Sequence, residues 1–363
     1  EESIMKNLCE NNLNIVVIGD AFVSEDDMEE AVKNSRLKIK RMTKLFWGTE
    51  DKKLFTKRQL MVERHGPDAV EYADGLDNII DEADVIFTHF CPLPKTLLER
   101  GHSLKAILTC RGGTEHICIE EANKRKIPVI NVIRNAEPVA DFALGMTLAL
   151  TRGIAQSHCR IKQGIWEKEF FNSPYLTTLN QHLVGLVGFG NVGAAFARKL
   201  LALEVPVVVY DEYVNKNEIK KEFPKIETAD TIDELLERAD IVSIHLRLTK
   251  ETEKMIGRTF FEKMKKTAYF LNTARGGLVQ EDDLVYALKN KLIGGAALDV
   301  FEKEPLEDGH PFTKLDNVLL TSHIAGTTVE AIPKSPYMLM KEFDRMAENE
   351  THTRVVNWES IQQ

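Results

Sequence analysis

Short apolar runs alternate with stretches of helical periodicity along most of the chain, the signature of parallel sheets wrapped by helices. A first set of runs lies at 15–18, 84–88, 106–110 and 128–132. Between the first two, residues 41–80 are polar and poorly patterned, and the pattern assigns no element there. A long helical pattern begins near Pro138, with Val139, Phe142, Ala143, Met146, Leu150 and Ile154 on one face. Pro138 suits a first turn, where its missing N–H is no loss. This segment reads as a core helix bridging two domains. A second and richer set of runs follows at 183–187, 207–210, 241–246, 268–272, 295–298 and 318–321, with helical patterns at 192–203 and 281–289. After Thr327 comes a last helical segment, which Pro333 and Pro336 should break.

Composition narrows the class. The 363 residues suffice for two domains, and 43% apolar with 28% charged is the balance of a soluble globular protein. A net charge of -9 argues against a nucleic-acid surface, which needs excess Lys and Arg. No apolar run reaches the roughly 18 residues of a membrane span. The start, Glu1-Glu2-Ser3-Ile4-Met5, lacks a basic region followed by an apolar run, so no secretory signal is expected. The five cysteines are scattered and odd in number, which suggests reduced thiols in the cytoplasm and no metal site.

The sharpest local signal is Leu-Val-Gly-Leu-Val-Gly-Phe-Gly-Asn-Val-Gly at 183–193. Gly188, Gly190 and Gly193, spaced by Asn191 and Val192, form G-x-G-x-x-G at a strand end that opens a helix. The first glycine makes the turn, the second admits a pyrophosphate, and the third lets helix and strand pack closely. Asp211 ends the next strand, 18 residues beyond Gly193. It should accept hydrogen bonds from the adenosine ribose and repel a 2′-phosphate, which predicts NAD over NADP. A methyltransferase shares such a turn, so this motif alone does not name the chemistry.

Three later strand ends carry ionisable groups: Asn272-Thr273-Ala274-Arg275-Gly276-Gly277, Asp299 through Glu304-Pro305, and Thr321-Ser322-His323. In open parallel sheets, ligands bind beyond the carboxyl ends of the strands, so all three should face the glycine turn's crevice. Reducing a keto acid requires a holder for a carboxylate and a proton donor. Arg275 supplies the planar fork, His323 the acid/base, and Glu304 the carboxylate that orients His323. Asp299 should lie deeper and accept a bond from the nicotinamide carboxamide, with Thr273 and Ala274 also lining the cofactor. Singly, each residue has an ordinary structural explanation. In this order, downstream of a dinucleotide turn, they point jointly to hydride transfer.

These segments, VGLVGFGNVG, HLRLTKET, LNTARGGLVQEDDLVYAL, ALDVFEKEPL and LLTSHIAG, resemble the D-isomer-specific 2-hydroxyacid dehydrogenase family from about Ala136 to Thr327. The resemblance implies an α/β architecture: a Rossmann NAD-binding domain at 136–327 and a discontinuous flavodoxin-like substrate domain at 1–135 with 328–363. It implies the order Arg275, Glu304, His323 for catalysis, Thr249 near the cofactor, a homodimer through the NAD-binding domains, and closure of a two-domain crevice over the substrate. It also implies a substrate-carboxylate loop, here Thr109-Cys110-Arg111-Gly112-Gly113-Thr114. Arg111 departs from the commoner small residue and is expected to read a phosphate or second carboxylate. Arg247 replaces a usual proline. Phosphoglycerate, glyoxylate, hydroxypyruvate and lactate-like substrates all stay open, as does a corepressor-like NAD(H) sensor on the same fold. The Glu304 and His323 pair disfavours formate dehydrogenase.

Overall fold

The computed structural model describes residues 4–362; the reading of the extreme N-terminus at Glu1, Glu2 and Ser3 lies outside the described residues. The chain falls into two compact units, Glu1–Arg134 with Thr328–Gln363, and Asn135–Thr327.

The first unit is built on five parallel strands: β1 (Asn12–Gly19), β2 (Lys38–Phe46), β3 (Val85–Thr88), β4 (Ala106–Thr109) and β5 (Val129–Asn131). Their order is β2-β1-β3-β4-β5, the flavodoxin-like arrangement, with the direction of winding reversing between β1 and β3. Side chains of β1 alternate between two cores. Leu13, Ile15 and Val17 meet the helix Ser335–Asn349 through Leu339, Met340, Phe343 and Met346, while Val16 and Ile18 pack with Trp47, Phe55 and Phe90. Burial on both faces is why such a strand reads as an unbroken apolar run.

Part of the unplaced 41–80 segment is β2 and the helix Lys52–His65. The strand Lys-Ile-Lys-Arg-Met-Thr-Lys-Leu-Phe lies at the sheet edge, with exposed or half-buried residues throughout. It carries four basic residues, a common guard against edge-to-edge pairing, and these hid its period. Nor does Pro336 break the final helix: it sits in the first turn of Ser335–Asn349, where proline fits.

The second unit has seven parallel strands: β6 (Val184–Val187), β7 (Val207–Tyr210), β8 (Glu227–Thr228), β9 (Ile241–Ile244), β10 (Tyr269–Asn272), β11 (Gly295–Leu298) and β12 (Val318–Leu320). The order β12-β11-β10-β9-β6-β7-β8 starts in the middle, moves outward to β8, and returns across β6 to β9. The crevice beyond β6 and β9 is therefore the switch point of a Rossmann sheet. The long helix of this unit, Ala136–Thr151, buries Val139, Ala143, Met146 and Leu150 as its period predicts. It ends earlier than the pattern suggests. Gly153 adopts φ +61°, and a separate helix, Ile154–Lys162, leaves Ile154 55% exposed. No helix among the described residues is long and apolar enough to cross a membrane.

Candidate active site

Gly188 closes β6 with φ +96°, a conformation that disfavours a side chain, and a Cβ there would lie 2.8 Å from the His245 carbonyl beyond β9. A Cβ on Gly193 would come within 2.6 Å of the Gly188 carbonyl oxygen, so strand and helix touch there through backbone alone. Gly190 is different: a Cβ there meets nothing within 4 Å. Two glycines thus close the turn and the third leaves an open approach to its backbone. Asn191 and Val192 are the first residues of the helix Asn191–Ala202, which no side chain caps. Its N-terminus suits a phosphate. Behind the turn, burial pushes the His245 imidazole down to about 4, so it stays neutral beside the Ser243 hydroxyl at 3.0 Å.

Asp211 sits one residue past β7, and its carboxylate is already engaged. Oδ2 accepts the Phe189 N–H at 2.6 Å, and Oδ1 accepts those of Tyr213 and Val214 at 2.8 and 2.9 Å. It pins the glycine turn to the end of β7. Three of roughly four acceptor positions are used, which narrows the expected ribose contact to a single further donor. Thr273 Oγ1 is buried with no partner among the described residues, an unspent polar atom at the end of β10. Thr249 is exposed on the loop after β9, its N–H donating to Thr252 Oγ1 at 2.8 Å. The open backbone at Gly190, the uncapped helix and the orphaned Thr273 hydroxyl together fit a dinucleotide.

The three catalytic candidates follow adjacent parallel strands, since Asn272 pairs Leu298 and Leu298 pairs Leu320 in register. The buried Asn272 shapes the first turn. Its Oδ1 accepts the Ala274 N–H and its Nδ2 donates to the Arg275 carbonyl, both at 3.0 Å. Gly276 then lets this turn lie directly on the next strand's loop, because a Cβ there would overlap the Phe301 carbonyl. Arg275 is exposed. It donates one hydrogen bond, to the Ala274 carbonyl at 2.7 Å, and has no ion-pair partner among the described residues.

Glu304 and His323 form the expected pair. Glu304 Oε1 accepts the Phe301 N–H at 3.0 Å, and Oε2 accepts from His323 Nδ1 at 2.7 Å. A protonated Nδ1 leaves Nε2 as the reactive nitrogen. His323 holds φ +57°, a strained backbone for a residue with a side chain. Asp299 supplies the constraint. Fully buried, it accepts from Thr321 Oγ1 at 2.6 Å and from the Ile324 and Ala325 N–H groups at 3.0 and 2.9 Å. Expected to accept from the nicotinamide carboxamide, Asp299 has three of roughly four acceptor positions filled by these bonds, which brace the two residues after His323. That task was invisible in sequence, as was the part played by Asn272.

In the first unit, Arg111 is not the open cation that was expected. Its guanidinium lies 3.0 Å from Glu63 and 3.6 Å from Glu115, over the Phe90 ring at 4.0 Å, so its charge is already matched. Glu63 comes from the helix Lys52–His65, which sequence did not place. The backbone N–H groups of Gly112 and Gly113 meet no acceptor among the described residues, while the Gly112 carbonyl accepts from Asn131 Nδ2 at 2.7 Å. Such unspent donors suit a carboxylate.

Known proteins resemble this chain. Residues 144–325 match the model of the D-isomer specific 2-hydroxyacid dehydrogenase NAD binding domain. The chain is 40% identical over 292 residues to a glyoxylate reductase of Thermofilum pendens, covering 79% of this chain and 84% of that one. It is 33% identical to a D-3-phosphoglycerate dehydrogenase of Methanocaldococcus jannaschii, covering 81% of this chain but spanning only 56% of that protein. A D-lactate dehydrogenase with NAD+ from Lactobacillus jensenii shares the fold, with a TM-score of 0.67 at 23% identity over 95% of this chain and 99% of that one. With its dinucleotide turn, its Glu304–His323 pair and a family match over half its length, the chain belongs to the D-isomer specific 2-hydroxyacid dehydrogenases, oxidoreductases that use NAD.

Proposed function

We propose that the protein interconverts a small 2-keto acid and the corresponding D-2-hydroxy acid, with glyoxylate and hydroxypyruvate as the leading keto acids. The observation that carries this reading is the Glu304–His323 hydrogen bond at 2.7 Å, two strands from an Arg275 with no ion-pair partner. NAD(H), held by the Gly188 to Gly193 turn, Asp211, Thr249, Thr273 and Ala274, supplies or removes the hydride. His323 Nε2 gives a proton to the forming hydroxyl oxygen, or takes it in the reverse direction. Glu304 keeps the ring in the required tautomer and orientation through its hydrogen bond to Nδ1. Arg275 binds the carboxylate through two N–H groups and polarises the adjacent carbonyl. Gly112 and Gly113 would offer backbone N–H groups to the same class of anion. The matched charge of Arg111 speaks against a phosphate site there. The glyoxylate reductase name of a 40% identical relative supports the smaller substrates.

Steady-state NADH oxidation with glyoxylate, hydroxypyruvate, 3-phosphohydroxypyruvate and pyruvate tests this. Turnover should be greatest with the first two. NADH binding without turnover of any keto acid would instead support the sensor reading.

Selection of NAD rests on the Asp211 charge. Asp211→Asn is expected to narrow the ratio of kcat/KM for NADH over NADPH by about tenfold, roughly 1.4 kcal/mol. It also weakens both cofactors, since the residue pins the glycine turn. An unchanged ratio would place the selection elsewhere.

A homodimer through the second unit is part of the proposal. The helix Ile154–Lys162 buries none of its residues, and Ile154, Ile161, Ile165 and Trp166 remain exposed near it. Large apolar residues left exposed along one segment favour an association surface. Sedimentation should give twice the chain mass, reduced to the chain mass by Ile161→Glu with Trp166→Glu. The free state of all five cysteines supports a reducing, cytoplasmic setting.

A further inference from the structure

The carboxyl edge of the five-stranded sheet carries a charged group that the residues beyond β10, β11 and β12 do not explain. Asp20 follows β1, His89 follows β3, Cys110 follows β4, and Arg134 lies three residues past β5. Asp20 Oδ1 accepts the Phe22 and Val23 N–H groups at 2.9 and 3.1 Å, and its Oδ2 accepts from His89 Nδ1 at 2.7 Å. The Nδ1 proton thereby fixed makes His89 Nε2 an acceptor. Arg134 Nη1 donates to that nitrogen at 2.8 Å and to the Cys110 carbonyl at 3.0 Å. Burial holds His89 below its usual range, consistent with a neutral ring in this chain of contacts.

The Arg134 guanidinium is therefore held in place through one nitrogen by two neutral acceptors. Burial, with Arg111 nearby, pulls it down to about 10, and it remains protonated at neutral pH. A guanidinium has five N–H groups. Nη1 spends both of its own. Nε and Nη2 have no acceptor among the described residues, yet they remain reachable from solvent. Those two nitrogens form one edge of the planar fork, the edge that receives a carboxylate with two parallel bonds. No ion pair is formed by Arg134 among the described residues, whereas Arg111 has Glu63 and Glu115. Arg134 reaches over the ends of β3 and β4, and open parallel sheets take ligands beyond the carboxyl ends of their strands.

We propose that Arg134, oriented by Asp20 and His89, is a carboxylate receptor for the substrate acid. The proposal rests on the dehydrogenase reading for the identity of its ligand. Arg134 touches the substrate; Asp20 and His89 are positioning residues. The anion it takes is either the 2-keto acid's own carboxylate or a second one further along the substrate.

The test combines kinetics with a direct binding probe. Arg134→Gln should raise KM for keto acids by roughly 10–100-fold with little change in kcat or in NADH affinity, and Arg134→Lys should not restore it. Equal increases with glyoxylate and oxaloacetate assign the 2-keto acid's own carboxylate, and an increase confined to oxaloacetate assigns the second. His89→Ala should raise KM as well, and His89→Gln, which keeps one donor and one acceptor, should recover most of the loss. Oxalate should raise the Tm of the wild-type protein clearly more than that of Arg134→Gln. This arm needs no turnover, so a wild type inactive with every keto acid would end the dehydrogenase reading and leave the oxalate result to judge Arg134. An unchanged KM with both acids, or equal stabilisation of both proteins by oxalate, overturns the proposal.

Discussion

Replacing His323 by alanine is expected to lower kcat by ~10²–10⁴, the usual contribution of a positioned acid/base, while NADH affinity measured by fluorescence stays close to that of the wild type. Only the side chain's link to Glu304 at 2.7 Å is lost. The bonds that hold the loop run from Asp299 to Thr321, Ile324 and Ala325, and none involves the imidazole. Alanine should therefore accept the same backbone path, at the cost of the positive φ that His323 also bears. Glu304→Gln should be milder than the histidine change. An amide oxygen still accepts from Nδ1, but the bond is no longer charge-assisted. If His323→Ala costs less than tenfold in kcat, another group moves the proton and the pair with Glu304 is structural.

How much of this was legible in the sequence depended on whether a feature was local. The glycine turn, Arg275, Glu304 and His323 were found because each follows a parallel strand that stands out in the sequence as a short apolar run. Their adjacency then follows from sheet order. What stayed hidden was either polar or distant in sequence. The edge strand β2 reads as a basic segment, since neither of its faces is deeply buried. Arg111 is neutralised by Glu63, 48 residues away, and only folding brings them together. Asp20, His89 and Arg134 are single loop residues, 69 and 45 positions apart along their hydrogen-bonded chain. The bracing by Asp299 was hidden too, because nothing local says that a strand-end carboxylate will accept from a loop 25 residues on. Gly153 cut the long helix short: periodicity continued through Ile154, but a left-handed glycine ended the regular path.

Arg275 separates charge from geometry. The side chain is exposed, with a single hydrogen bond to its neighbour's carbonyl and no ion-pair partner among the described residues. The folded protein therefore gains little from it, and Arg275→Ala should leave Tm almost unmoved. Its value lies in what it binds. Two charge-assisted hydrogen bonds to a carboxylate, at about 1.5–3 kcal/mol each, predict a fall of ~10²–10⁴ in kcat/KM. Arg275→Lys restores the charge but not the planar fork, so it should recover no more than about tenfold of that loss. Guanidinium added to the alanine variant should restore more activity than an alkylammonium ion of similar size, because it returns the missing shape. Full recovery by lysine would mean that a point charge suffices at this position, and the two-bond grip on the substrate would have to be abandoned.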